Sequence, residues 1–378
     1  MMKNYYFIFI FLIFGFNSFM LYSNVEKKDL TILSNLTFEY DSKIYLKDIT
    51  TTNSQNTLDT SKLGSNVYID DDYYIKYNVV DTTKPLIIGS TTKTTTLGND
   101  IDLVNKYLCG DNHDNEPKCY IRGKYDINKI GKYNLTYVAE DKSGNIKTKD
   151  IILNVIEKSN SENRSDNEVK LTPIKDYIKK YKNEKTKIGI DVSAWQDDID
   201  WSKVKKDGVE FAIIRIGFGH TNKGEIKLDN WYLNNIKKAQ EQNIDIGLYF
   251  YSYAKNEKEV KEQVDFIVNT LDHQKIQLPI AFDWEDWSDF NSYKMSFKKL
   301  NDLANTFIEE LYKNGYEGML YSSAYYLNNI WKDYDKTWLA YYTNNNDFKK
   351  DYMMWQFTST GQVNGINGAV DLNVLYLK

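Results

Sequence analysis

The sequence predicts a multidomain chain: an all-β N-terminal part followed by an α/β barrel. Two patterns carry that expectation. Residues 28–157 are rich in Thr, Val, Ile, Tyr and Asn, arranged in short alternating runs without helical periodicity. From Lys187 onward, apolar runs alternate with stretches whose apolar residues fall three and four apart, as in a parallel sheet with crossover helices. The length, 378 residues, suits two to three domains at about 150 residues each. A hydrophobic share of 42% and an aromatic share of 15% supply enough apolar material to exclude wholesale disorder.

Taken in order, the chain opens with Lys3 before an apolar run over residues 7–16, the length of a signal-peptide core. Asn17 and Ser18 interrupt the run, and residues 19–22 prolong it. Leu21-Tyr22-Ser23 is a poor match to a small-x-small cleavage site. Residues 1–24 are therefore expected to be a signal peptide or an N-terminal membrane anchor, and the remainder is expected to be secreted or held at the cell surface. No Cys follows the run, which argues against a lipoprotein anchor.

Residues 25–80 and 81–157 read as two β-rich modules. Leu58-Asp-Thr-Ser-Lys-Leu-Gly64 matches Tyr125-Asp-Ile-Asn-Lys-Ile-Gly131, and each Gly leads into a strand-like run. Residues 81–157 carry an Asp81-Thr-Thr-Lys-Pro85 opening, then Gly131-Lys-Tyr133 and an Asp141-Lys-Ser-Gly-Asn145 turn. On those segments they resemble the immunoglobulin-like modules of Gram-positive surface proteins, and residues 25–80 resemble a degenerate copy. Cys109 and Cys119, the chain's two cysteines, share one polar loop; in an exported protein they are expected to form a disulfide, with two free thiols as the alternative. Residues 158–186 have the composition of a polar linker, with a short helix expected over 174–181.

In residues 187–378 the strand-like runs are 188–193, 211–217, 244–253, 278–285, 318–322, 337–343, 353–358 and 370–377. Helical periodicity marks 231–242, 257–271 and 296–314, with stripes such as Val260, Val264, Ile267 and Leu271. After Trp331 the helices stop while strands continue, so an incomplete (β/α) barrel fits best. The apolar stripes are core rather than cofactor boxes.

Charge and composition narrow the function. Lys and Arg total 48 against 53 Asp and Glu, a net charge of −5, and no basic run of the kind nucleic-acid binders carry is present. Only three His accompany the two Cys, which disfavours a zinc site. The informative segment is Leu278-Pro-Ile-Ala-Phe-Asp-Trp-Glu-Asp286. In a strand Ala281, Asp283 and Glu285 share a face, which would stack two carboxylates about 6–7 Å apart at the strand's C-terminal end. Active sites of such barrels lie at that end. Crowded carboxylates raise one another's pKa, the condition for a general acid at neutral pH. The alternative places both acids in a solvated loop, and spacing alone does not choose between them. Asp191 in Gly189-Ile-Asp-Val-Ser193 and Asp371 in Ala369-Val-Asp-Leu-Asn373 would meet if the first and last strands are neighbours, across the opening from Asp283 and Glu285. A Ca²⁺ or Mg²⁺ held by these acids is the lesser reading, because Trp195, Trp284, Trp287, Tyr249, Tyr251, Tyr321, Tyr341 and Trp355 surround them and are not ligands. Aromatic rings with polar handles suit sugar faces and their hydroxyls.

Residues 187–378 resemble glycoside hydrolase family 25, the muramidases of bacterial and phage wall lysis. The matching segments are Gly189-Ile-Asp-Val-Ser-Ala-Trp-Gln196, Ile199-Asp-Trp201, Phe211-Ala-Ile-Ile-Arg215, Asp283-Trp-Glu285, Trp355-Gln-Phe-Thr-Ser-Thr-Gly361 and Val370-Asp-Leu-Asn373. The resemblance implies a (β/α)5(β)3 barrel. It also implies Glu285 as the catalytic general acid, with Asp283, Asp191 and Asp371 as its carboxylate partners. Trp195, Tyr249, Tyr251, Trp284, Tyr321 and Gln356 are the expected substrate-binding residues. The expected partner is the glycan strand of bacterial peptidoglycan, cleaved between N-acetylmuramic acid and N-acetylglucosamine by a monomer that needs neither metal nor cofactor. Two other readings remain open at this point. One is a wall-binding lectin that retains the barrel; the other is a deacetylase, disfavoured by the scarcity of His.

Overall fold

The computed structural model describes residues 30–158, 170–219 and 224–377. The expected leader or anchor at 1–24 and residues 159–169 of the expected linker lie outside them. Among the described residues no helix is long and apolar enough to cross a membrane. The chain divides into two compact units, the first ending at Val80 and the second beginning at Asp81.

In the first unit Tyr73–Val80 is the central strand, parallel to Thr31–Glu39 and antiparallel to Gly64–Ile69. Its alternation buries Tyr73, Ile75, Tyr77 and Val79, which pack with Leu46 and Leu58. The second unit opens with a β module of two sheets. Thr92–Thr96, Ile146–Ile156, Gly131–Glu140 and Lys118–Arg122 form one, and Leu86–Ile88 with Leu108–Gly110 the other. Tyr107, Leu135, Tyr137, Leu153 and Val155 fill its core. Gly64 and Gly131, the last residues of the repeated motif, each open a strand.

Residues 172–181 are not a free linker. Thr172–Pro173 pairs with a barrel strand, and the helix Ile174–Tyr181 sets Ile174, Tyr177, Ile178 and Tyr181 on one face against the barrel core. Tyr177 and Tyr181 meet Phe357 at centroid distances of 4.8 and 4.9 Å. Apolar residues at i, i+3, i+4 and i+7 within a Lys-rich segment give the reason: overall polarity hid a buried stripe.

The barrel follows as β1 (Thr186–Val192), α1 (Trp201–Lys206), β2 (Phe211–Gly219), α2 (Tyr232–Glu241), β3 (Asp245–Ser252), α3 (Glu257–Leu271), β4 (Ile280–Asp283), α4 (Phe297–Lys313), β5 (Gly318–Ser323), α5 (Ala324–Asn329), β6 (Thr337–Ala340), β7 (Met354–Gln362) and β8 (Val370–Tyr376). Neighbouring strands from β1 to β7 run parallel, and β8 closes the ring antiparallel to both β7 and β1. Inside the ring, Phe211, Ile213, Ala281, Met319, Trp338, Met354 and Leu375 form an apolar plug. The helical stripes bury Val260, Val264, Ile267 and Leu271 on α3, and Leu300, Leu303, Phe307 and Leu311 on α4. Side-chain caps start these helices: Asn256 accepts from the Glu259 N–H at 3.0 Å, and Ser296 accepts from the Lys299 N–H at 3.2 Å.

The β module docks on the barrel between β4 and α4. The Asn291 amide accepts from the Cys109 N–H and donates to the Tyr107 carbonyl, both at 2.9 Å, completing the edge of the module's smaller sheet. The Phe297 N–H, at the start of α4, donates to the Asp111 carbonyl at 2.8 Å, and Lys294 pairs with Glu116 at 2.9 Å. Gly110 lies so close to Phe290 and Phe297 that a Cβ there would come within 2.5 Å of the Phe297 ring. A disulfide joins Cys109 to Cys119 and closes this loop.

Candidate active site

Above the apolar plug the interior turns polar. Asp283 ends β4 and is buried, while Glu285 follows two residues later, half-buried and past the strand. The strand is shorter than the sequence pattern suggests because the chain turns after Glu285, whose carbonyl accepts from the Trp287 N–H at 2.7 Å. Asp191 on β1 stands opposite Asp371 on β8 in the antiparallel ladder, so both face the same way. Asp191 and Asp371 line an open cleft of about 300 Å³ together with Trp195, Gln196, Tyr249 and Ser359.

Asp191 is held from below. The Gln356 amide donates to its Oδ1 at 3.0 Å and the Asn373 amide at 2.7 Å. Each donor is itself anchored. Gln356 accepts from the Tyr321 and Tyr342 hydroxyls at 3.0 and 2.9 Å, and Asn373 accepts from the Trp338 indole N–H at 2.7 Å. Such a network, with its donors and acceptors matched, fixes one rotamer of the central carboxylate.

Electrostatics follows from burial. Desolvation, with the Asp191 charge adding to it, pushes Glu285 up to about 7. Asp371 rises to about 8, again from burial first, then from Asp191 and Glu285. Burial raises Asp191 to about 6 even though Gln356 and Asn373 pull it down. Asp283 lies well above the ordinary carboxylate range for the same first reason, with Glu285 and Asp191 adding to it and Arg215 opposing. Its Oδ1 is buried and accepts no hydrogen bond.

The expected substrate-binding residues separate into four groups. Trp195 is 83% exposed at the rim, and Tyr249 lines the cleft. Tyr251 stands beside Asp283 in the β3–β4 ladder, half-buried. Gln356 and Tyr321 are buried beneath the acids, with their polar side-chain atoms engaged in the network that holds Asp191. Trp284 does not reach the cleft. It is fully buried, edge-on to Trp287 at 4.9 Å and Tyr293 at 5.2 Å, because alternation turns it away from its neighbours Asp283 and Glu285. Trp287 and Trp355 are core as well.

Three features escape a sequence reading. Asn373, which the sequence shows only as the end of the Val370-Asp-Leu-Asn373 segment, donates to Asp191. Tyr342 lies in a loop after β6. Arg215 supplies a cation that opposes the shift of Asp283, and its guanidinium is bound to buried Asp229 at 2.7 Å. Asp229 also accepts from the Ala194 N–H at 3.0 Å, tying the Trp195 turn to β2. The pair is separated by 14 residues, and no short motif marks it.

Comparison with known proteins bears on the barrel as a whole. The model of Glycosyl hydrolases family 25 matches residues 190–366. The uncharacterized protein YegX of Escherichia coli O157:H7 is 30% identical over 193 residues, covering 49% of this chain and 68% of that protein. The autolytic lysozyme of Clostridium acetobutylicum is 25% identical over 190 residues, 49% of this chain and 54% of the lysozyme. Among solved structures, a family 25 glycosyl hydrolase from Bacillus anthracis superposes with a TM-score of 0.45 at 20% identity, covering 53% of this chain and 91% of that one.

Proposed function

Because the chain belongs to glycosyl hydrolases family 25 through residues 190–366, we propose that it is an exported muramidase. Its substrate is then peptidoglycan, and the bond cut is the β-1,4 link from N-acetylmuramic acid to N-acetylglucosamine. The observation that carries this reading is Glu285: a half-buried carboxyl at the barrel mouth, raised to about 7 beside further acids. A carboxylic acid that keeps its proton near neutral pH can protonate the departing glycosidic oxygen, a contribution of about 10²- to 10⁴-fold.

Asp283 has a different task. Its buried, unpartnered Oδ1 is an acceptor for the N–H of the substrate's acetamido group. Held there, the acetamido oxygen attacks the anomeric carbon as the glycosidic bond breaks, and the proton on Glu285 passes to the leaving oxygen. Water then opens the cyclic intermediate while Glu285 takes back a proton. Asp191, held by Gln356 and Asn373, sustains the field that keeps Glu285 protonated. Trp195 and Tyr249 offer ring faces to the sugars. No step of this route calls on a metal.

The test uses the full chain on isolated peptidoglycan, with new reducing ends identified by mass. Release of muramic-acid reducing ends, slowed at least about 100-fold in Glu285→Gln, is the expected result. Glycan binding without cleavage by either protein would make the barrel a lectin instead.

A further inference from the structure

The β module holds a second group of acids, for which hydrolysis has no use. Asp81 opens the module, Asp111 sits in the disulfide-closed loop, and Asp141 starts the turn to Asn145. All three are buried, and one carboxylate oxygen of each lies within 4.8 Å of the others. Buried like charges at that spacing call for protons or for a cation.

Most of their lone pairs are occupied. Asp141 accepts from the Asn145 N–H at 2.8 Å and the Asn145 amide at 2.9 Å. Asp81 accepts from the Ser143 hydroxyl at 3.1 Å, and from the Asn112 amide and Thr83 N–H at 3.3 Å each. Asp111 Oδ1 accepts from the N–H groups of His113 and Asp114, at 2.8 and 2.7 Å. Asp111 Oδ2 has no partner, although the residue is only 1% exposed, and the buried Oδ1 of Asn112 has none either. Among the described residues no Lys or Arg forms an ion pair with any of the three. Lys142, next in sequence to Asp141, pairs with Asp114 at 2.7 Å. An orphaned carboxylate oxygen in a cluster of three buried carboxylates, with no ion-paired Lys or Arg among the described residues, marks a position for a metal rather than for a hydrogen-bond donor.

We infer that Asp81, Asp111 and Asp141 form a Ca²⁺ site, with Asp111 Oδ2 as a direct ligand. Oxygen-only donors suit a hard cation, and three carboxylates on separate loops suit Ca²⁺ better than Mg²⁺, which usually takes one or two and keeps its waters. The site also bears on the barrel. The carbonyls of Asp111 and Asn112 accept from the Phe297 and Lys298 N–H groups at the start of α4, at 2.8 and 3.2 Å. A bound ion fixes the loop on which that helix start rests.

The experiment takes the full chain stripped with EDTA and titrates it with CaCl₂ in a calorimeter, alongside thermal melts. Expected are one ion per chain and an affinity of about 10⁻⁴ to 10⁻³ M, the range of extracellular modules. At about tenfold excess over that Kd, the melting midpoint rises by about 3–6 °C. Asp111→Asn abolishes both signals, yet in EDTA it melts no lower than wild type, since it removes one of three repelling charges. Asp371→Asn, in the barrel, keeps the Ca²⁺ shift. Should Asp111→Asn fail to fold, Tb³⁺ luminescence on wild type, displaced by Ca²⁺, gives the same reading. No binding by wild type, binding retained in Asp111→Asn, or binding lost in Asp371→Asn overturns the site.

Discussion

Two groups of carboxylates are buried in the same compact unit, and they relieve their repulsion in different ways. In the barrel, Asp191 receives two amide hydrogen bonds, its neighbours Glu285 and Asp371 are pushed up to about 7 and 8, and Asp191 and Asp371 line an open cleft. In the β module, Asp111 is pushed up to about 6, first by burial and then by Asp81 and Asp141, while one of its oxygens is left unpartnered. Crowded acids that open to a ligand cleft keep protons to give away. Crowded acids closed in by loops have room for little except an ion.

The sharpest test of that contrast is Glu285→Gln, which keeps the shape and removes the transferable proton. Turnover on isolated peptidoglycan should fall about 10²- to 10⁴-fold, with no loss of melting temperature. Next comes pH. The acid must be protonated, so kcat/KM on soluble glycan should fall about tenfold per unit as pH rises beyond about 7. Stability should follow the same direction. Carboxyls raised in the folded state bind more protons there than in the unfolded chain, so the stabilisation is complete only below about pH 4 and is lost progressively as pH climbs from there to about 7 to 8. A melting midpoint that rises from pH 5 to pH 8 would contradict the proton-sharing account.

Smaller effects separate positioning from contact. Gln356→Ala removes a donor from Asp191 and strands two tyrosine hydroxyls; the expected cost is about tenfold in kcat with KM nearly unchanged. Trp195→Ala, at the exposed rim, should raise KM a few-fold and move stability by no more than about 0.5 kcal/mol. If Gln356→Ala changed KM alone, Gln356 would be a sugar contact after all.

Legibility in the sequence differed by feature. The α3 and α4 stripes were readable because a period of three and four survives in isolation. The facing of Asp191 and Asp371 followed from one premise, that first and last strands adjoin. Trp284 was misplaced by weighing residue type over position, since the alternation that turns Asp283 inward turns its neighbour outward. The Arg215–Asp229 pair and the Asn291 contact to Cys109, 182 residues apart, depend on tertiary closeness that no local pattern encodes. The helix at 174–181 showed its stripe only once something lay beneath it.

The seam at Gly110 has a further meaning. A spacer domain can be exchanged between enzymes by recombination at its borders, because its neighbours do not register the swap. Here the spacer's loop completes its sheet with a side chain of the enzyme and rests a glycine on two of the enzyme's rings. Module and barrel are therefore expected to be inherited as a pair, with residues 107–119 and 290–298 changing together. A chimera cut between them would need both sides of the seam from the same parent.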